Sequence, residues 1–359
     1  MANSTLPKSS SATVGLDVGD RFSSFCFVDG NGDVADEGKI RTCEEQLVER
    51  LRPYKGARLV LEVGVHSPWI ARLLRKEGMK VIVANPRKVE LIRQNYRKTD
   101  RGDAEILARV GRLDPVLLSP VEHRSEQQQA DLAVIRSRAA LVAARTMLIN
   151  QVRGSVKSFG GALPRCDAHS FHKHAPAHLP PPLADALLPL VAAIAATTAQ
   201  IFALDAQVER LIETRYPAAN FVRQVHGVGP ITSLTFVLTL ADPTRFTKSR
   251  DVGPFLGLTP RLRQSGDSSP QLRITKAGDT LLRSLLVQCA HYILGPFGKD
   301  SDLRRWGRER LERGGKNGKK RVYVAIARKL AVLLHRLWAT GEVYNPFYHS
   351  GGAPAPATA

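Results

Sequence analysis

Thr13-Val14-Gly15-Leu16-Asp17-Val18-Gly19-Asp20, followed by Phe22 to Val28 and a Gly30-Asn31-Gly32 turn, decides how the front of this chain is read. Short apolar runs joined by glycine-rich turns predict an antiparallel meander opening a mixed sheet. Asp17 is a lone acid in an otherwise apolar strand. At a strand edge it would simply sit in water. Inside, an unpaired carboxylate costs several kcal/mol, so a metal or a cation is then expected beside it. Further on, Cys43 to Arg52 patterns as a polar amphipathic helix and Ala57 to Gly64 as a buried strand, in which Glu62 repeats the anomaly of Asp17. His66 to Lys76 predicts a helix and Lys80 to Ala84 a strand, ending at Asn85-Pro86. Strand and helix alternating after a meander describe an α/β domain.

The next helix begins in Arg97-Lys98-Thr99-Asp100-Arg101-Gly102-Asp103-Ala104. Asp100 and Asp103 are three residues apart and share a helical face, where both can reach one metal centre. A helix start with Asp100 as cap and Asp103 in the first turn, both favoured by the helix dipole, needs no metal.

At 359 residues the chain is long enough for two or three domains with sizeable cores. Its 52 basic against 33 acidic residues give a formal charge of +19, which points to a polyanion, nucleic acid above all. A cationic membrane-surface protein is the competing reading. It is weakened because the basic residues are spread over the chain and no apolar run is expected to reach the length of a membrane span. Residues 1–11 lack the apolar core of a signal peptide and read as a disordered leader, so a cytoplasmic protein is expected. Cys26, Cys43, Cys166 and Cys289 form no CxxC pair and read as packing residues.

After Pro120 the composition shifts. Ser125 to Val156 carries Leu132, Ile135, Ala139, Val142, Ile149 and Val156 at three- and four-residue spacing, a long helix with a coiled-coil seam. Leu183 to Arg215 repeats the seam with Leu187, Val191, Ile194, Ile201, Leu204, Val208 and Leu211. Between them, 160–182 reads as a loop; its His169, His172, His174 and His178 have no cysteine or carboxylate at zinc-ligand spacing. Gly227-Val228-Gly229 between helical stretches fits either a simple turn or the hairpin of helix-hairpin-helix DNA binders, whose backbone N–H groups approach a phosphate. Ser265-Gly266 lies on a loop with Arg261, Arg263, Arg273, Lys276 and Arg283: either a turn serine or a nucleophile at a phosphate, with cations to stabilise the transition state. The C-terminal helices add Arg304, Arg305, Lys319, Lys320 and Arg321, suited to phosphate. Trp306, Tyr323 and Trp338 suit either base stacking or the core. The residues therefore divide into 12–124, 125–215, 216–345 and a disordered tail at 346–359.

Asp17, Glu62, Asp100 and Asp103 follow the order Asp, Glu, Asp, Asp of the RuvC-like branch of the ribonuclease H fold, whose acids hold two Mg²⁺ ions. Hard oxygen ligands suit Mg²⁺. With Asn85-Pro86, Lys98-Thr99-Asp100, His226-Gly227, Gly257-Leu258-Thr259-Pro260, Ser265-Gly266 and Ile274-Thr275-Lys276-Ala277-Gly278-Asp279, the chain resembles transposases of the IS110 insertion-sequence family, bridge-RNA-guided serine recombinases. The resemblance implies a RuvC-like α/β domain, a coiled-coil connector and a mostly helical transposase domain. It implies Asp17, Glu62, Asp100 and Asp103 as metal ligands and Ser265 as the nucleophile forming a phosphoserine link to DNA. Ser268 and Ser269 stand beside it as alternatives. It further implies double-stranded donor and target DNA, a guide RNA, and an oligomer, dimers assembling to a tetramer, in which one protomer's acids meet another's serine. A RuvC-like nuclease using water would need the acids and not the serine. A packaging protein without catalysis would need only the charge.

Overall fold

A computed structural model describes residues 12–85, 99–266, 268–270, 272–315 and 318–350. The expected leader, Pro86, Arg97, Lys98, Asp267 and residues 351–359 of the expected tail lie outside the described residues. The chain divides into two compact units, Met1–Arg124 and Ser125–Ala359.

In the first unit, β1 (Thr13–Asp17), β2 (Phe22–Val28), β3 (Val34–Arg41), β4 (Arg58–Glu62) and β5 (Lys80–Ala84) form one mixed sheet in the order β3-β2-β1-β4-β5. The β1–β2 and β2–β3 pairs are antiparallel, whereas β1–β4 and β4–β5 are parallel. The meander thus supplies one half of the sheet and the strand–helix repeats the other. Alternation along the strands sorts the side chains between two faces. Val14, Leu16, Leu59 and Leu61 pack with α1 (Glu44–Leu51) and α2 (Ser67–Lys76). Val60, Cys26 and Val28 face α3 (Asp100–Leu113) on the other side.

The approach of α3 to the sheet depends on glycine. A Cβ on Gly15 would lie 1.9 Å from the Ala104 carbonyl oxygen and 2.6 Å from the Ala108 nitrogen. A Cβ on Gly111, near the helix's other end, would meet Val60 and Thr13. Helix α3 therefore runs antiparallel to β1, with its N-terminus at the strand's C-terminal end.

The second unit opens with two long helices, α4 (Glu126–Ser158) and α5 (Pro181–Thr214). Arg138 pairs with Asp205, and Arg145 donates to Thr198 at 3.4 Å, so the helices run antiparallel. Toward the helices' connection, Val152, Val156, Phe171, Leu187 and Ile194 form a small core, in which the one-turn helix Phe171–His174 lies within the stretch read as a loop. At the other end Leu132, Ile135, Val208 and Ile212 join a larger core. That core is completed by α6 (Ala219–Arg223), α7 (Pro230–Leu240), α8 (Thr280–Leu294) and α10 (Gly318–Thr340), with α9 (Asp302–Arg313) packed alongside.

Two expectations need correction. Helix α5 is long and apolar enough, by length and composition, to cross a membrane, and Ala186 to Leu204 contains no charged residue. The seam residues Leu187, Val191, Ile194 and Ile201 are buried, while Ala192, Ala193, Ala196 and Ala199 with Leu188 and Phe202 are exposed. The tail does not begin at 346: the Pro346 carbonyl accepts from the Asp302 N–H at 2.8 Å, and the His349 N–H donates to the Asp302 carboxylate at 2.7 Å, so 346–350 is fastened to the start of α9.

Candidate functional site

The parallel register pairs Leu16 with Leu61, so Asp17 and Glu62 are neighbours at the C-terminal end of the β1–β4 ladder, where adjacent strands lie about 4.8 Å apart. By strand alternation both lie on the face covered by α3, because Gly15 and Val60 two residues earlier touch that helix. Helix α3 brings its own N-terminus to the same end. The cap is Thr99, not Asp100: its hydroxyl oxygen accepts from the Gly102 N–H at 3.1 Å, which leaves Asp100 and Asp103 both in the first turn. Asp103 is buried and Asp100 exposed. The fold therefore brings all four sequence-selected acids to one end of one sheet. Among the described residues no three His, Cys, Asp or Glu side chains stand as a ready metal cluster.

The loops around this end are tied down. The Trp69 Nε1–H donates to His66 Nδ1 at 3.1 Å, which leaves the His66 proton on Nε2, 3.1 Å from the Asp20 carboxylate. Both ring nitrogens are thus used in clasping the loop after β1 to the start of α2. Behind it, Ser67 bonds to His123 at 2.9 Å, and burial, reinforced by Arg75 and Arg72, holds the His123 pKa below its ordinary value.

In the second unit, Ser265 lies at the tip of a ribbon. Ser265 and Ser268 exchange both backbone hydrogen bonds, at 3.1 and 3.0 Å, around a two-residue loop. Gly266 takes a left-handed φ of +53°, as the first position of such a loop demands. Lower down, Arg261 N–H donates to Arg273 and Thr275 N–H to Thr259, both at 2.9 Å. At the base, a Cβ on Gly257 would lie 2.2 Å from the Ala277 nitrogen, and one on Gly278 would lie 2.2 Å from the Phe255 carbonyl oxygen. Lys276 holds a left-handed φ of +55° without glycine's freedom, as Ser119 and Ala241 do elsewhere in the chain. Ser265, Ser268 and Ser269 are all exposed, and Ser269 accepts from Gln264 at 3.5 Å.

The expected cations separate into two groups. Arg261, Arg263, Arg273, Lys276, Lys319, Lys320 and Arg321 are exposed, and Arg305 is exposed but paired with Asp300 at 2.7 Å. Arg283 and Arg304, expected at nucleic acid, are buried instead. Arg283 donates to the Leu256, Ala277 and Gly278 carbonyls and ties the ribbon's base to α8. Arg304 donates to the Ile293 and Gly295 carbonyls, satisfying the end of α8. Gly227, with φ +96°, is pressed against Tyr292, while Gly229 caps α7 with open space beside it.

One feature was missed from the sequence. Asp131, buried on the α4 seam, accepts from Arg215 at 2.7 Å, Tyr216 at 2.7 Å and Gln127 at 3.1 Å, latching the two long helices. Burial pushes its pKa up, and these hydrogen bonds outweigh burial, so the net shift is downward. An acid on an apolar seam one residue before Leu132 was the available signal.

Two family models match. One, DEDD_Tnp_IS110, described as a transposase, covers residues 14–160, and one described as transposase IS116/IS110/IS902 family covers residues 219–298. The chain is 26% identical to a transposase for insertion sequence element IS1111A of Coxiella burnetii, over 92% of this chain and 91% of that one. It is 30% identical to a probable family 20 transposase of Pseudomonas aeruginosa, over 77% and 82%. It is also 31% identical to a pilin gene-inverting protein of Moraxella lacunata, over 41% and 45%.

Proposed function

The chain belongs to the IS110 family of transposases, and from that premise we propose that it cuts and rejoins DNA strands through a phosphoserine intermediate formed by Ser265. The observation that carries the reading is the convergence of Asp17, Glu62, Asp100 and Asp103 on one sheet end, as in a RuvC-like site, together with an exposed serine on a cationic ribbon.

The donor set is all carboxylate, the chemistry of a Mg²⁺ site, and Asp17 with Glu62 and Asp100 with Asp103 are the pairs that would hold one or two ions. When bound, Mg²⁺ supplies Lewis-acid stabilisation of the attacking and leaving oxygens. Ser265 Oγ attacks the phosphorus of a phosphodiester. The Oγ–P bond forms as the P–O bond to the leaving strand breaks, the serine proton passes to solvent or a neighbouring acid, and the leaving oxygen ends as a hydroxyl. Reversal with a different strand's hydroxyl rejoins DNA and frees the serine, so no ATP is needed. Arg261, Arg263 and Arg273 on the ribbon balance the charge that develops on the phosphoryl oxygens. The acids of one protomer are proposed to serve the serine of another, in dimers that assemble to a tetramer, with donor and target DNA chosen by a bridge RNA in the cytoplasm.

The test is to incubate the chain with a cognate DNA site and Mg²⁺ and resolve products under denaturing conditions. A protein–DNA adduct that disappears in Ser265→Ala, and persists in Ser268→Ala and Ser269→Ala, supports the reading. Cleavage without an adduct overturns it in favour of hydrolysis. RNA recovered with the protein should map to sequence flanking the transposase's own coding region; random cellular RNA overturns the guided part.

A further inference from the structure

Beside the ribbon, within the second unit, lies a groove of about 1540 Å³. One wall is the lower ribbon with Leu258, Pro260, Ile274 and Lys276. The other is formed by α9, α10 and the fastened segment Tyr344–Ser350. Two properties of the groove conflict unless it has a specific occupant. Its floor is apolar, through Leu258, Ile274, Val324, Val332 and Leu333, yet nine Lys and Arg side chains surround it against only Asp302 and Glu309.

Both acids are already engaged. Asp302 accepts from the His349 N–H and the Ser350 hydroxyl, and Glu309 is paired with Arg313, so neither carboxylate forms an ion pair with the groove's own cations. By contrast Arg250, Arg273, Lys276, Lys320, Arg328 and Lys329 make no ion pair with a carboxylate among the described residues. At the edge, Tyr348 is 59% exposed, and Arg336 covers its ring at 4.4 Å.

A duplex presents its phosphates outward and keeps its base faces stacked inside, so it would use the rim and leave the floor wet. An unpaired strand offers phosphates and bare base faces together, which a cationic groove with an apolar floor and an aromatic edge accommodates. We propose that this groove holds an unpaired DNA strand, with bases toward the floor and Tyr348 and phosphates on the six cations that make no ion pair, of which Lys329 also lies over the Trp306 ring at 4.6 Å, and leads it up the ribbon to Ser265. The strand's path toward Ser265 rests on the proposed role of that serine; the binding itself does not. The left-handed Lys276 marks where groove and ribbon meet.

The experiment is fluorescence anisotropy of labelled oligo(dT) against the full chain over a salt series. Lys320→Glu/Arg328→Glu should weaken binding at least 10-fold and lower the salt slope by about 1.4, the loss expected for two phosphate contacts on a single strand. Tyr348→Ala should weaken oligo(dT) about 5-fold and an abasic strand of equal length not at all. Arg210→Glu, on the exposed side of α5, should change neither by more than 2-fold, and circular dichroism checks that each variant folds. Lys276→Ala gives the same readout with a milder change. The proposal is overturned if the groove variants bind oligo(dT) like the parent, or if duplex, oligo(rU) or polyglutamate competes as well as oligo(dT). Loss of the adduct reaction's dependence on Ser265, with groove binding intact, would remove the serine reading and leave the groove. An adduct with groove variants unimpaired in binding would do the reverse.

Discussion

Substituting Gly15 by alanine tests the geometry on which the acid site rests. The added methyl would lie 1.9 Å from the Ala104 carbonyl oxygen, about 1.5 Å short of ordinary contact, and 2.6 Å from the Ala108 nitrogen. Both obstacles are helix backbone, so no side-chain rotation relieves them, and α3 must lift from β1. Overpacking costs typically 1–3 kcal/mol, and two backbone clashes place this one near 3 kcal/mol. For a unit of this size that corresponds to a fall in melting temperature on the order of 10–20 °C. Thermal unfolding followed by circular dichroism gives the shift, and hydrogen exchange assigns it to β1 and α3. Gly154→Ala is the comparison with opposite sign. It lies exposed in α4 with nothing within 4 Å of its added Cβ, so it should stabilise by about 0.5–1 kcal/mol through helix propensity alone. If Gly15→Ala melts within 2 °C of the parent with α3 equally protected, the close approach is wrong, and with it the placement of Asp100 and Asp103 beside Asp17 and Glu62.

Asp103→Asn and Asp100→Asn should each reduce recombination at least 100-fold while changing DNA affinity less than 2-fold, read by a plasmid recombination assay beside anisotropy; equal losses in both would make them structural. Arg304→Ala should destabilise the second unit by about 2 kcal/mol, because the Ile293 and Gly295 carbonyls lose their donor, yet leave the salt slope of DNA binding unchanged. Thr99→Ala should cost about 1 kcal/mol as a lost cap and show as fraying of the first turn of α3 by hydrogen exchange. Asp131 should make the second unit acid-sensitive. Its carboxyl pKa is lower when folded than when unfolded, so its contribution is present above the ordinary value of 3.8 and is lost as pH falls through the lower folded value. Denaturant midpoints for the parent should therefore drop below about pH 4 more steeply than those of Asp131→Ala, which should already be weaker at pH 7.

The strands of the first unit were legible because apolar alternation and the glycine turns mark them, and the two long helices because their seam residues recur at three and four. Most of those residues, Leu132, Ile135, Ile149 and Val156 against Leu187, Val191, Ile194 and Val208, are buried, whereas Ala139, Val142 and Leu204 are only half-buried. The acids could be chosen from the sequence as exceptions within apolar strands and at a helix start. Their common position could not, since it depends on parallel pairing of β1 with β4 and on Gly15 admitting α3. Arginine was the least readable residue. Nothing in the pattern distinguishes Arg304, spent on the carbonyls at the end of α8, from its neighbour Arg305 on the surface, because the difference lies in where α8 happens to end. The span-length apolar run of α5 was misjudged because Ala192, Ala193, Ala196 and Ala199 continue it across the exposed face between the seam residues.

The ribbon has a consequence for how such an enzyme can change. Residues 261–266 and 268–270 are exposed, and the close backbone crossing at Gly257 and Gly278 fixes the base independently of the tip. Ribbon length is therefore a ruler that can be recut without touching the core. Two residues added to each strand would carry the hydroxyl about 6.8 Å further out on the same side, whereas one on each would turn it to the opposite side. Reach and stability are separately adjustable in this domain, so relatives could meet partners of different girth on one unaltered helical frame.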